Sequence, residues 1–164
     1  MSALLVALTA SHAIAQPRPG TQAPEIDLPT LNGGRATLSK MRGHPVVVSF
    51  WGTWCAPCRA EFPLLVSAQL NNSKAGLYVL AVNGRDQERS TADVQRFVEG
   101  FAAPFTIALD KRGSVRRRYR MEAQPMTVFI DADGIVRMVH SGLISAEELE
   151  KGIEIILPRP SPKS

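Results

Sequence analysis

The feature that most constrains this chain is an unbroken apolar run, Val46-Val47-Val48-Ser49-Phe50-Trp51, which leads within four residues into Cys55-Ala56-Pro57-Cys58. Such a run predicts a strand covered on both faces, as at the centre of an α/β sheet. A helix is predicted from about Pro57 to Asn71, with Pro63 inside it predicting a kink. Pro57 suits the first helical turn, where no backbone donor is needed. A buried strand thus hands Cys55 to the start of a helix, where unpaired N–H groups and the positive dipole end favour thiolate over thiol. A free thiol of pKa ~8.5 is only a few per cent ionised at pH 7, whereas one lowered to ~7 is about half ionised. Cys58 lies one turn further along the same face, placed to attack a mixed disulfide formed at Cys55. The expectation is an exposed, acidic Cys55 and a buried, resolving Cys58.

These are the only two cysteines, which excludes a disulfide-rich scaffold and a four-cysteine zinc site. No apolar run reaches eighteen residues, which excludes a membrane-spanning enzyme. The net charge of +4 is local: residues 111–120 hold Lys111, Arg112, Arg116, Arg117, Arg118 and Arg120 and no acid. The rest of the chain has thirteen cations against fifteen acids, so the basicity is one patch and does not suggest a nucleic-acid partner. Residues 1–15 are uncharged apart from a histidine, contain the apolar stretch Ala3–Leu8 and end in Ala13-Ile14-Ala15, the pattern of a secretory signal peptide. A cleaved leader implies a periplasmic or otherwise extracytoplasmic, oxidising location.

The remaining punctuation predicts one domain. Pro17, Pro19, Gly20 and Pro24 mark 16–24 as a linker. Ile26–Leu28 and Ala36–Leu38 flank Asn32-Gly33-Gly34 as an N-terminal hairpin. Leu77–Val82 is a second buried strand, and Phe105–Leu109 a short one. Ser90 and Asp93 resemble a capping box before Val94, Phe97, Val98 and Phe101, which have helical spacing. Ser114–Tyr119 reads as a short helix. Met126–Ile130 and Ile135–His140 are strands joined at Asp131-Ala132-Asp133-Gly134. Ser145 and Glu148 cap a last helix with Leu149, Ile153 and Ile156 on one face. The domain therefore spans 25–157, and prolines 158, 160 and 162 mark 158–164 as a disordered tail.

The segment from Phe50 to Pro63, Phe50-Trp51-Gly52-Thr53-Trp54-Cys55-Ala56-Pro57-Cys58-Arg59-Ala60-Glu61-Phe62-Pro63, resembles the active-site segment of the TlpA/ResA type of thiol–disulfide oxidoreductases. The likeness continues through Val82-Asn83, Tyr119, Pro125 and Phe129-Ile130-Asp131, and covers roughly residues 24–156. It implies a thioredoxin-like α/β three-layer sandwich: a central mixed β-sheet flanked by helices, with an N-terminal hairpin and a central insertion. It implies that Cys55 is the attacking and Cys58 the resolving cysteine, and that Pro125 is a cis-proline opposite them. An extended substrate segment would then pair along Gln124 and Met126 and touch Trp54, Ala56 and Pro57. The family's activity implies a reductant of apocytochrome c or copper-site cysteines, working with protein thiols and disulfides and fed by a membrane-embedded electron donor. No bound cofactor and no metal are expected; the redox centre is the Cys55–Cys58 disulfide.

Two acids match family positions for proton transfer, Asp86 and Glu61, since Ser49 stands where cytosolic thioredoxins carry a buried Asp beneath the cysteines. A nearby carboxylate can take the Cys58 proton during resolution. Asp86 is slightly favoured by its family position. Trp51 and Trp54 are expected to pack around the site and form part of its surface. His44 and His140 read as ordinary strand-end residues. Arg116, Arg117, Arg118 and Arg120 read as a solvated helix face or, more sharply, a dock for an acidic partner. Two rival functions share parts of this pattern. A copper-binding, metallochaperone-like module would use Cys55, Cys58 and His140. A thiol peroxidase would use Thr53 beside a lone reactive cysteine.

Overall fold

The computed structural model describes residues 17–158; the expected leader and most of the expected tail lie outside them. Seven strands and four helices follow in order: β1 (Asp27–Pro29), β2 (Arg35–Thr37), β3 (Val46–Trp51), α1 (Ala56–Asn72), β4 (Tyr78–Asn83), α2 (Thr91–Gly100), β5 (Thr106–Leu109), α3 (Ser114–Arg118), β6 (Met126–Ile130), β7 (Val136–Ser141) and α4 (Ala146–Ile156). The main sheet has the order β5-β4-β3-β6-β7. β3 runs parallel to β4 and antiparallel to β6, and all six of its residues are buried. The two apolar runs predicted as buried strands thus form the centre of a mixed thioredoxin-like sheet.

Alternation along β3 divides the core into two layers. Val46, Val48 and Phe50 face a cluster with Leu28 and Ala36 of the hairpin and Val115 and Tyr119 near α3. Val47 and Trp51 face the opposite side, where α1, α2 and α4 supply Leu65, Phe62, Val94, Leu149 and Ile153. Ser49 shares that helical side and is fully buried. On it, α4 comes close enough to β6 that a Cβ at Gly152 would stand 2.3 Å from the Phe129 ring.

The β1–β2 hairpin lies one residue later in β1 than the sequence suggests, with Asp27 opposite Thr37. Its tip closes the β5 edge, through a bridge between Thr30 and Ala108 and a Leu31 N–H donated to the Ile107 carbonyl. That covers an edge that would otherwise offer free pairing groups. The expected linker is a correction: among its described residues, 17–24, several are tied to the domain. Gly20 N–H donates to Val136 O, Val136 N–H to Thr21 O and Ala23 N–H to Gly134 O, and Tyr119 Oη donates to the Pro24 carbonyl at 2.7 Å. Backbone pairing of this kind requires no apolar side chains, so prolines and glycine masked it.

Helix ends follow the caps. Ser90 accepts from Asp93 N–H, and Ser145 with Glu148 forms a complete capping box on α4. α3 has a cap the sequence reading missed. Asp110, 1 % exposed, accepts from the backbone N–H groups of Ser114, Val115 and Arg116 at 2.9–3.0 Å. Three donors at a helix start compensate its burial. Pro63 lies inside α1, which continues past it to Asn72.

Candidate active site

Cys55 is the residue before α1, in extended backbone (φ −85°, ψ 104°), and Pro57 falls in the first turn. Its Sγ accepts the Cys58 N–H at 3.2 Å, one of the helix-start donors that would stabilise a thiolate. The two cysteines form a disulfide with their Cα atoms 5.2 Å apart. Cys58 is fully buried. Cys55 is only 4 % exposed, more covered than the sequence reading expected. In this oxidised form its sulfur turns inward to Cys58, within a cluster that includes Trp51, Phe62 and Val94.

The two tryptophans divide the roles that were expected of both. Trp51 is buried and stacks its ring 4.9 Å from Phe62 and 5.1 Å from Phe97, so it belongs to the core behind the disulfide. Trp54 is 54 % exposed and stands beside Cys55 on the surface. Between them Gly52 leaves almost no room: a Cβ there would lie 2.8 Å from the Trp54 indole nitrogen and 3.0 Å from the Gln124 amide nitrogen. That contact brings the loop before Cys55 against the loop bearing Pro125. The Gln124–Pro125 bond is cis, and β3–β6 register sets Phe50 opposite Met126. Pro125 is buried and Gln124 half-buried, while Ala56 and Pro57 are exposed. Met126 is 3 % exposed and packs in the core under the sheet, so its side chain is not part of the surface around the disulfide.

A carboxylate that sequence reasoning overlooked holds the loop. Glu88 Oε1 accepts from Thr53 N–H at 2.7 Å and from Asn83 Nδ2 at 2.9 Å, and its Oε2 accepts from the Thr53 hydroxyl. Its placement depends on the short turn after β4, and no spacing signal announces it. Thr53 is thereby committed to a structural bond and is not free to serve the peroxidase reading. A shallow groove lined by Thr53, Trp54, Arg59, Glu88, Arg89 and Phe97 runs beside the disulfide.

The two candidate acids are placed very differently. Glu61, three residues beyond Cys58 on α1, is fully buried. Its Oε1 accepts from the Ser49 hydroxyl at 3.2 Å and its Oε2 from Ile144 N–H at 3.4 Å. Burial pushes its carboxyl up to about 7, against the smaller opposing pull of those two hydrogen bonds. The carboxyl reaches from the helix to the very strand position that Ser49 occupies. Asp86, in the turn Arg85–Gln87, accepts from Arg116 Nη2 at 2.9 Å and is taken up by that ion pair.

The basic patch is likewise partly spent. Arg116 serves Asp86, Arg118 Nη1 donates to the Glu25 carbonyl and Arg117 Nη1 to the Arg112 carbonyl; Arg117 and Arg120 remain exposed. His140 is engaged with the Leu143 carbonyl and lies beside Glu148. Among the described residues no group of three or more His, Cys, Asp and Glu is gathered to hold a metal ion, so Cys55, Cys58 and His140 do not form the copper site of the rival reading.

Residues 19–139 match the AhpC/TSA family. The chain is 35 % identical over 139 residues to thiol-disulfide oxidoreductase ResA of Geobacillus kaustophilus, covering 85 % of this chain and 78 % of that one. It superposes with a TM-score of 0.79 and 33 % identity on a candidate thiol:disulfide interchange protein DsbE from Chlorobium tepidum, covering 87 % of this chain and all of that one. A secreted disulfide oxidoreductase of Mycobacterium tuberculosis, homologous to DsbE of E. coli, aligns with a TM-score of 0.70 and 26 % identity over 79 % of this chain and 94 % of its own.

Proposed function

The chain belongs to the AhpC/TSA family and is a thiol–disulfide oxidoreductase of the ResA/DsbE type, and on that premise we propose that it reduces disulfides in proteins outside the cytoplasm. The observation that carries this reading is the disulfide at the start of α1 with the buried Glu61 carboxyl three residues behind Cys58. In the reduced protein the Cys55 thiolate attacks one sulfur of a substrate disulfide. A Cys55–substrate disulfide forms and the other substrate sulfur leaves as thiolate. Cys58 gives its proton to the Glu61 carboxylate and attacks Cys55 Sγ, which re-forms the intramolecular disulfide and expels the second substrate thiolate. Two electrons pass from the dithiol to the substrate, and the oxidised protein described above is the product state.

The working centre is the cysteine pair itself, with no resident cofactor. Its reducing equivalents would come from a membrane-embedded donor, and its substrates would be the paired cysteines of apocytochromes c or copper-site proteins. The signal-like leader and the secreted relative support an extracytoplasmic location. The exposed faces of Trp54, Ala56 and Pro57, with the Gln124–Met126 backbone, offer the substrate surface. An acidic partner would meet the exposed Arg117 and Arg120, since Arg116 and Arg118 are half-buried and turned to partners within the chain.

Trapping tests this reading. Cys58→Ser removes only the second displacement, so the variant should accumulate mixed disulfides that dithiothreitol releases, with extracytoplasmic Cys-pair proteins as partners. Cys55→Ser should trap nothing. A folded Cys58→Ser protein with no adducts overturns a protein-disulfide substrate.

A further inference from the structure

Across β3, β6 and β7 the register aligns Ser49, Thr127 and His140 as successive partners. Directly paired residues point to the same face, so the three form a polar row on the α1/α4 side. The neighbouring row, Val47, Phe129 and Met138, is apolar. At one end of the polar row the Ser49 hydroxyl holds Glu61 Oε1. In the middle, the Thr127 hydroxyl is buried and has no hydrogen-bond partner among the described residues. At the other end, His140 Nε2 lies 3.1 Å from the Leu143 carbonyl oxygen. A carbonyl only accepts, so that nitrogen carries the hydrogen. The other ring nitrogen, Nδ1, faces Glu148 Oε1 at 3.7 Å.

The Leu143 carbonyl and the Ile144 N–H belong to one peptide group, and the N–H is donated to Glu61 Oε2. Glu61 and His140 therefore hold opposite poles of a single amide. We propose that His140 is a positioning residue for the buried carboxylate: its charge, carried through the Leu143–Ile144 peptide, sets the pH at which Glu61 gives up its proton. The proposal rests on the reading of Glu61 as the proton acceptor of Cys58, and extends it by a residue that touches neither sulfur nor substrate.

The physical sequence is short. Histidine changes charge near neutral pH. A proton arriving at Nδ1, beside Glu148, makes the ring an imidazolium that donates more strongly to the Leu143 carbonyl. The polarised amide then offers Glu61 a stronger N–H, and the ring adds a positive charge nearby; both favour the carboxylate. The groups packed round the pair are few. α4 contributes Glu148, α1 contributes Glu61, and the paired positions on β3 and β6 are the hydroxyl residues Ser49 and Thr127. The His140 side chain is 19 % exposed, whereas Glu61 is fully covered, so the medium reaches the ring before it reaches the carboxyl.

The test follows the Glu61 carboxyl by 13C NMR in the full, reduced protein, comparing wild type with His140→Gln. Glutamine can still donate to the Leu143 carbonyl but never carries charge. The Glu61 midpoint should rise by about 0.5–1 pH unit. By reciprocity, the His140 ring midpoint should fall by the same amount in Glu61→Gln. Midpoints that stay put in both variants overturn the proposal. So does a shift seen with His140→Phe and absent with His140→Gln, because the hydrogen bond alone would then account for it. Failure of the Glu61 role itself shows separately, as a Glu61→Gln protein whose resolution rate keeps the wild-type pH profile.

Discussion

The corner holding Asp86 and the pocket holding Glu61 each contain a carboxylate at a position that a family likeness marks for proton transfer, and the chain treats them oppositely. Asp86 sits in a turn, a quarter exposed, opposite the Arg116 guanidinium. Its charge is balanced and water can reach it. Glu61 is fully buried and, among the described residues, has no ion-pair partner; a hydroxyl and one peptide N–H hold its oxygens. An ion pair keeps an acid ionised, whereas unpaired burial keeps it able to exchange a proton near neutrality. A carboxyl pushed up to about 7 is matched to a thiol that must be deprotonated at that pH. Environment, more than position in a motif, separates the two.

The largest test of that contrast is Glu61→Gln. The resolving step at pH 7 should slow by about 10²-fold and lose its rise through neutral pH, read by stopped-flow decay of a preformed mixed disulfide. The same variant has a stability signature. Below pH 4.5 the carboxyl is protonated in folded and unfolded chains alike. Between 4.5 and about 7 the unfolded chain has released a proton that the folded chain keeps, so wild-type stability falls as pH rises through this window and is level above it. The fall should reach up to about 3 kcal/mol, and urea titrations of Glu61→Gln should show it flattened. An unchanged slope would put Glu61 in the same class as Asp86.

Glu88→Gln comes next. It weakens charge-assisted bonds to Thr53 and Asn83, at a cost of about 1–2 kcal/mol and a Tm lower by roughly 5 °C. Alkylation of reduced Cys55 should change in rate while the pH midpoint of resolution stays where it was. A moved midpoint would make Glu88 a third member of the proton chemistry. Asp86→Asn should do least: under about 1 kcal/mol of stability in calorimetry, and no change in the pH profile of exchange. A loss matching that of Glu61→Gln would collapse the contrast.

Much of this architecture is legible in the chain. The runs at 46–51 and 77–82 became the paired central strands because nothing but burial on both faces suits so many consecutive apolar residues. Serines 90 and 145 mark helix starts because a cap is a local bond. The cysteine pair at the strand-to-helix turn was equally plain. What escaped depends on bonds between distant segments. Glu88 and Asp110 look like any surface acids, and only the folded backbone shows which N–H groups they collect. The burial of Glu61 was hidden by the general rule that charged helix residues face water. Residues 17–24 were misjudged because strand-like pairing there runs through main chain alone.

The close approach of α4 to Phe129 bears on how this chain can diverge. Residue 152 admits hydrogen as its side chain and nothing larger unless the ring at 129 shrinks or turns aside. A methyl at 152 would lift the helix whose capping serine follows directly after Ile144. Variants should therefore carry changes at 152 and 129 together or at neither, and a lone substitution at 152 should be heard at the carboxyl through the shared peptide, far from either sulfur.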